Sequence, residues 1–161
     1  MKNFSLVSLK NSTIVFLWRE VRFMLRRYLN QGDSAFLESS HPFTVSVGEH
    51  RVRAWSWGDG QKVFYVSERG ARGENLKPLV NPLLGAGFSV ITFENPNASK
   101  SAMAGILKSL VDNLGPAHAV MAGGPAMKVV DLAIAKGLKT KRRIDLTPSL
   151  PVMEVLNFVT E

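Results

Sequence analysis

Short apolar segments alternate along this sequence with longer helical stretches, and each helical stretch ends at glycine. Glycine just past the last helical residue is a common stop signal, because it adopts a left-handed backbone without strain. Strands that alternate with helices in this way pack as a mainly parallel sheet with helices on both faces. The alternation therefore predicts a doubly wound α/β domain. Its helices are predicted over about 74–86, 99–114 and 125–136, and the strands that follow them over 88–93, 118–121 and 143–146.

The segment before this alternation is typical of an antiparallel hairpin followed by a buried strand. Apolar residues alternate with polar ones over 43–47, and after a turn at Gly48 the pattern resumes up to Trp57. A period of two indicates strands with one buried face. Residues 62–66 are nearly all apolar, which suits a strand covered on both faces. We therefore predict a mainly parallel sheet of about six strands that begins with an N-terminal antiparallel hairpin.

Composition limits the class of protein. A chain of 161 residues with 45% hydrophobic residues has enough apolar side chains for one sizeable core. The absence of cysteine excludes disulfides, thiolate zinc sites and a cysteine nucleophile. No apolar run is long enough to span a bilayer, and no secretory signal is recognisable. We predict a cytoplasmic protein with no metal and no cofactor.

The net charge of +7 is concentrated in two places, the first thirty residues and residues 136–143. Residues 13–30 are predicted to form an amphipathic helix, since apolar residues recur at three- and four-residue steps. We accordingly divide the chain into a basic N-terminal helix with a linker, 1–38, and a domain, 39–161. The second basic cluster is interpreted as the solvated end of a helix. The N-terminal helix could instead meet an anionic membrane or nucleic acid through four arginines, Arg19, Arg22, Arg26 and Arg27.

Three segments of the sequence resemble motifs of the α/β-hydrolase superfamily. Residues 57–66, WGDGQKVFYV, resemble the approach to the oxyanion loop, and residues 76–93 resemble the helix and strand that follow it. Residues 118–127, HAVMAGGPAM, fall where the nucleophile elbow belongs. The likeness covers about 40–150. It implies the N-terminal part of a hydrolase fold that lacks the C-terminal strands.

The resemblance also implies a catalytic site, and its elements are degenerate here. The elbow requires a serine between two glycines, whereas this chain has Gly123, Gly124 and Pro125, with Gly124 in the serine position. The family uses the backbone N–H of the next residue in the oxyanion hole, and proline has none. The His-Gly pair of the second oxyanion donor is replaced by Ser67 and its neighbours, and none of the histidines (His41, His50 and His118) follows the elbow.

The leading hypothesis is a non-catalytic, truncated α/β-hydrolase-like protein that acts by binding or assembly. One alternative is an unorthodox esterase or acyl hydrolase that uses side chains around the residual pocket, namely Ser67, Glu68, Glu94 and Ser101. Another is a basic peripheral protein that binds anionic membrane or nucleic acid. The Gly123-Gly124 turn could also bind an anion with bare backbone N–H groups.

A last strand at the edge of the sheet predicts self-association. The strand predicted over Arg143–Thr147 would leave its outer side open, and an open edge can pair with another copy of the chain. The C-terminal segment, Pro151–Val159, has apolar residues at helical spacing. It is predicted either to cover that strand or to contribute to a dimer contact.

Overall fold

The computed structural model describes residues 36–67, 76–146 and 152–160. The arginines of the N-terminal helix, Glu68 and Thr147 lie outside these ranges. A short helical turn over 36–38 precedes the first strand. The strands are β1 (His41–Val47), β2 (His50–Trp57), β3 (Gln61–Val66), β4 (Phe88–Phe93), β5 (Ala117–Ala122) and β6 (Thr140–Asp145). The helices are α1 (Lys77–Gly85), α2 (Lys100–Leu114), α3 (Met127–Ala135) and α4 (Val152–Thr160), with a 3₁₀ turn at Gly124–Ala126.

The strands form a single mixed sheet in the order β1-β2-β4-β3-β5-β6. β1 pairs antiparallel with β2 and β2 antiparallel with β4, whereas β3, β4, β5 and β6 pair in parallel. The chain crosses from β3 to β4 on one side and then to β5 on the other. Because β3, β4, β5 and β6 are parallel, their carboxyl ends lie at the same end of the sheet. Ligands bind at this kind of switch point in open α/β sheets.

Both faces of the sheet are covered, and the sequence of β4 shows why. All six of its residues are buried. Phe88 and Val90 pack in the apolar cluster that includes residues of α1 and α4, while Ile91 and Phe93 pack in the cluster of α2 and α3. A strand covered on both faces needs apolar residues at nearly every position. The predicted α/β class, the six strands and the N-terminal hairpin are confirmed.

The last strand begins earlier than predicted. β6 covers Thr140–Asp145, not 143–146, so Lys141, Arg142 and Arg143 lie on a strand and not at a helix end. Among the described residues β6 has one neighbouring strand, and Ile144 is the buried residue of β6. A strand with so little burial carries no apolar run that could indicate it in the sequence.

The second basic cluster is therefore split between the end of α3 and β6. The Arg143 Nε atom donates to an Asp131 carboxylate oxygen on α3 at 2.7 Å. This hydrogen bond raises the pKa of Arg143 above its ordinary value. Both side chains are substantially exposed, and exposed ion pairs add little to stability. The pair joins α3 to β6 at the surface.

The C-terminal segment covers one face of the sheet. Val155 and Val159 of α4 are buried in the same cluster as Ile144. The residues just before β1 are also packed on this side: the Phe36 ring stacks on Trp57 with a centroid distance of 5.1 Å, and the Trp57 Nε1–H donates to the Phe36 carbonyl at 3.3 Å. Of the helices in the described ranges, none is long and apolar enough to cross a membrane.

Candidate functional site

The turn between β5 and α3 reverses the chain within three residues. β5 ends at Ala122, and Gly123 continues in an extended conformation with φ −123° and ψ 150°. Gly124 then adopts φ +54°, and the 3₁₀ turn leads directly into α3. This is the sharp strand-to-helix crossing expected where the resemblance places the nucleophile elbow.

Gly123 is required by close packing. A Cβ atom on Gly123 would lie 2.5 Å from the carbonyl oxygen of Leu146. The chain just past β6 approaches this closely because the Leu146 N–H donates to the Ala122 carbonyl at 2.7 Å. The end of β6 therefore fixes one side of the elbow.

Gly124 is constrained differently. Its φ of +54° lies in the left-handed region, where a non-glycine residue carries a cost on the order of 1 kcal/mol. A Cβ atom at this position would meet no other atom within 4 Å. The neighbouring structure thus leaves space where a hydrolase would place its serine, and crowding does not explain the missing side chain.

Pro125, the residue after Gly124, provides no backbone hydrogen-bond donor. Pro125 has no N–H, and it occupies the start of the 3₁₀ turn, where proline is structurally favourable. The N–H that follows, that of Ala126, donates to the Gly123 carbonyl at 3.2 Å. It is therefore engaged within the turn.

Two predicted pocket residues follow adjacent parallel strands. Ser67 comes directly after β3 and is buried, and Glu94 comes directly after β4 and is partly buried. The Glu94 N–H donates to the Arg53 carbonyl of β2 at 2.8 Å. Because β3, β4 and β5 are parallel, both residues lie at the carboxyl end of the strands, as Gly124 does. Their participation in a site remains a prediction.

Ser101 lies in a different environment. It is on the first turn of α2, and its hydroxyl and carbonyl oxygens accept from the Lys136 ammonium at 3.0 and 2.8 Å. Lys136 follows the last residue of α3, whereas Gly124 precedes the first. A helix of nine residues is about 13 Å long, so this contact holds Ser101 near the end of α3 that is remote from the elbow.

The histidines do not gather at the elbow. His118, in the amino-terminal half of β5, packs against the Phe88 ring at 5.3 Å, and its Nε2 lies 2.7 Å from the Val159 carbonyl of α4. A carbonyl oxygen can only accept, so Nε2 carries the proton and His118 ties α4 to the sheet. His41 begins β1 and His50 begins β2. Within the described ranges, no group of three or more histidine, aspartate or glutamate side chains could hold a metal ion.

Sequence reasoning missed two partners in this region. The carbonyl oxygen of Leu146 leaves no space for a side chain at position 123. The Lys136 ammonium donates a hydrogen bond to the Ser101 hydroxyl. Each contact joins residues that are more than twenty positions apart. Neither residue belongs to a motif, so no pattern in the sequence could have indicated them.

Comparison with known proteins supports the fold and little beyond it. The sequence matches no protein-family model and no curated protein sequence. Among solved structures, a Pseudomonas aeruginosa protein described as a "putative epoxide hydrolase" is 18% identical with a TM-score of 0.57, over 78% of this chain and 46% of that one. A Nostoc protein described as a "putative alpha/beta hydrolase" is 18% identical with a TM-score of 0.53, over 68% of this chain and 43% of that one.

The shares of length differ among these structures. The chain spans about half the length of the first of them. The protein TT1977 is also 18% identical, with a TM-score of 0.53 over 73% of this chain, but the match covers 94% of that chain. The covered share of the matched structures thus ranges from less than half to nearly the whole chain. The strand order, the strand directions and these similarities show that the chain has an α/β-hydrolase-like fold.

Proposed function

We propose that this chain is a non-catalytic α/β-hydrolase-like protein that acts by binding or assembly. One observation carries the proposal. At the elbow, the residue with φ +54° is Gly124, which has no nucleophile, and the residue after it is Pro125, which has no N–H to donate.

The two changes remove different parts of the chemistry. A serine hydrolase needs a hydroxyl at the turn to attack the acyl carbon. It also needs donors aimed at the oxyanion, and removal of one such donor alone lowers the rate on the order of 10²–10³-fold. Restoring the hydroxyl at position 124 would therefore not restore the donor at 125.

One contact favours the alternative of an unorthodox hydrolase. The Lys136 ammonium lies 3.0 Å from the Ser101 hydroxyl, a distance that also occurs between serine and lysine in some hydrolases. The same ammonium donates to the Ser101 carbonyl at 2.8 Å, and both contacts are exposed. We therefore interpret the pair as a link between α2 and the end of α3.

Labelling of the full chain with a fluorophosphonate tests the proposal. Intact-mass spectrometry should detect no covalent adduct on the wild-type chain under conditions that fully label an active serine hydrolase. Gly124→Ser is the matched variant because it places a hydroxyl where a side chain has room. It should remain at least 100-fold slower to react than the active hydrolase, since Pro125 still provides no donor.

A stoichiometric adduct on the wild-type chain would overturn the proposal. Peptide mapping, together with Ser67→Ala and Ser101→Ala variants, would then identify the reacting hydroxyl. Loss of the adduct in Ser67→Ala would place activity at the carboxyl edge of the sheet. Loss in Ser101→Ala would place it at the contact with Lys136.

A further inference from the structure

The two outermost strands of the sheet differ in charge. β1 (HPFTVSV) contains no lysine, arginine, aspartate or glutamate, whereas β6 (TKRRID) contains four such residues. Each has only one neighbouring strand within the described ranges. Lysine and arginine on an edge strand discourage pairing with another chain. If two copies of β6 paired, the Cβ atoms of opposite basic residues would lie about 5 Å apart, and β1 contains no charged residue.

The backbone of β1 has hydrogen-bonding groups that point away from the sheet. The Arg53 carbonyl of β2 accepts from the Glu94 N–H at 2.8 Å, so the backbone of Arg53 faces β4 and not β1. Its partner across the hairpin is Thr44. Because paired residues alternate between bonded and non-bonded positions in an antiparallel ladder, the backbone groups of Thr44 and Ser46 point outward.

The position of Pro42 is consistent with this outward direction of the backbone groups. It is two residues before Thr44 and therefore also faces outward, so its missing N–H costs no hydrogen bond to β2. Its carbonyl also points away from β2. The outer side of β1 thus presents two N–H groups, of Thr44 and Ser46, and three carbonyl groups, of Pro42, Thr44 and Ser46.

The side chains of β1 have an incompletely covered apolar face. Phe43, Val45 and Val47 pack against the core cluster of α2 and α3 but are only partly buried. A strand added at this edge would lengthen the apolar face and complete their burial. With a second copy of β1 centred on Thr44, Phe43 would lie opposite Val45 of that copy. Aromatic and β-branched residues form favourable cross-strand pairs.

We propose that two copies of this chain pair antiparallel through the outer edge of β1, so that their sheets become continuous. The cation on β2 opposite Thr44, that of Arg53, does not oppose this arrangement strongly. The Arg53 residues of the two copies would lie three strand spacings apart, about 14 Å. This distance exceeds the screening length of about 8 Å at physiological salt. This pairing rests on the proposed function, because it identifies a second copy of the chain as the partner in the proposed assembly. Its test measures mass and not labelling, so either proposal can fail alone.

Sedimentation equilibrium of the full chain tests the pairing. The wild-type chain should sediment at twice its mass of 17.7 kDa. Thr44→Lys adds a charge at the pairing edge on an exposed side chain and should weaken dimerisation at least tenfold. Ser46→Lys should act in the same way and provides a second variant if the first fails to fold by circular dichroism. Glu49→Lys, which adds positive charge in the exposed hairpin turn beside the edge, is the control and should remain dimeric.

Three outcomes would overturn the proposal. A monomeric wild-type chain would show that the β1 edge does not recruit a second copy, whether or not residues 1–35 cover it. A dimer that both lysine variants leave intact would place the contact elsewhere. Loss of the dimer in Arg143→Asp but not in Thr44→Lys would identify the β6 edge as the interface.

Discussion

Gly60 and Gly124, which lie at opposite ends of the strands, are glycine for different reasons. At the amino end, Gly60 lies in the turn between β2 and β3, where a Cβ atom would be 1.7 Å from the carbonyl oxygen of Gly87. At the carboxyl end, a Cβ atom on Gly124 would have no neighbour within 4 Å, and only its φ of +54° favours glycine. Packing therefore requires the first glycine, whereas backbone conformation alone favours the second. A side chain at position 124 would have room, so crowding does not require glycine there.

The largest expected effect is that of Gly60→Ala. The new methyl group would overlap backbone atoms of the α1–β4 turn, which cannot move aside like a flexible side chain. We expect the free energy of unfolding to fall by about 3 kcal/mol or more, measured by urea denaturation. Gly85→Ala is the matched control, because a Cβ there meets nothing within 4 Å. Its helix-terminal position should make it neutral or slightly stabilising, and equal losses in the two variants would contradict the packing argument.

Gly123→Ala should have an intermediate effect. Its Cβ would lie 2.5 Å from the Leu146 carbonyl, and the residues just past β6 would have to move to accept it. A loss of about 2 kcal/mol is expected. Amide hydrogen exchange should show weaker protection of the Leu146 N–H, which bonds to Ala122. Unchanged exchange at Leu146 would show that the end of β6 does not fix the elbow.

Gly124→Ala should have the smallest effect of the three. The methyl group enters open space, so the remaining cost is that of a left-handed conformation, about 1 kcal/mol. Gly124→Ser should cost a similar amount in the same urea titration. A loss as large as that of Gly60→Ala would remove the distinction between Gly60 and Gly124.

Sequence reasoning predicted the regular elements where burial imposes a pattern. The strands β4 and β5 are buried on both faces, and their apolar runs and flanking glycines located them to within a residue. It placed the start of β6 three residues too late, because edge strands need little burial and this one is mostly charged. The sharp turn at Gly123 and Gly124 was expected from the motif alone.

The long-range hydrogen bonds of Ser101 and His118 could not be predicted from the sequence. Nothing in the sequence indicated that Lys136 binds Ser101 or that His118 holds the carbonyl of Val159. These partners lie 35 and 41 positions apart. Distances of this kind depend on how helices and strands are stacked, and many stackings share one hydrophobic pattern.

The sequence by itself determined the class of fold and the residue types at the turn after β5, since both follow from residues in order: alternating apolar segments, then two glycines and a proline. Only the tertiary structure decided that Gly124 has open space while Gly123 does not, and that the uncharged strand β1 lies at an edge of the sheet that the described residues form. The reason is physical. Backbone and side-chain chemistry are local properties of the chain, whereas free space and exposed edges are created by segments that meet only after folding.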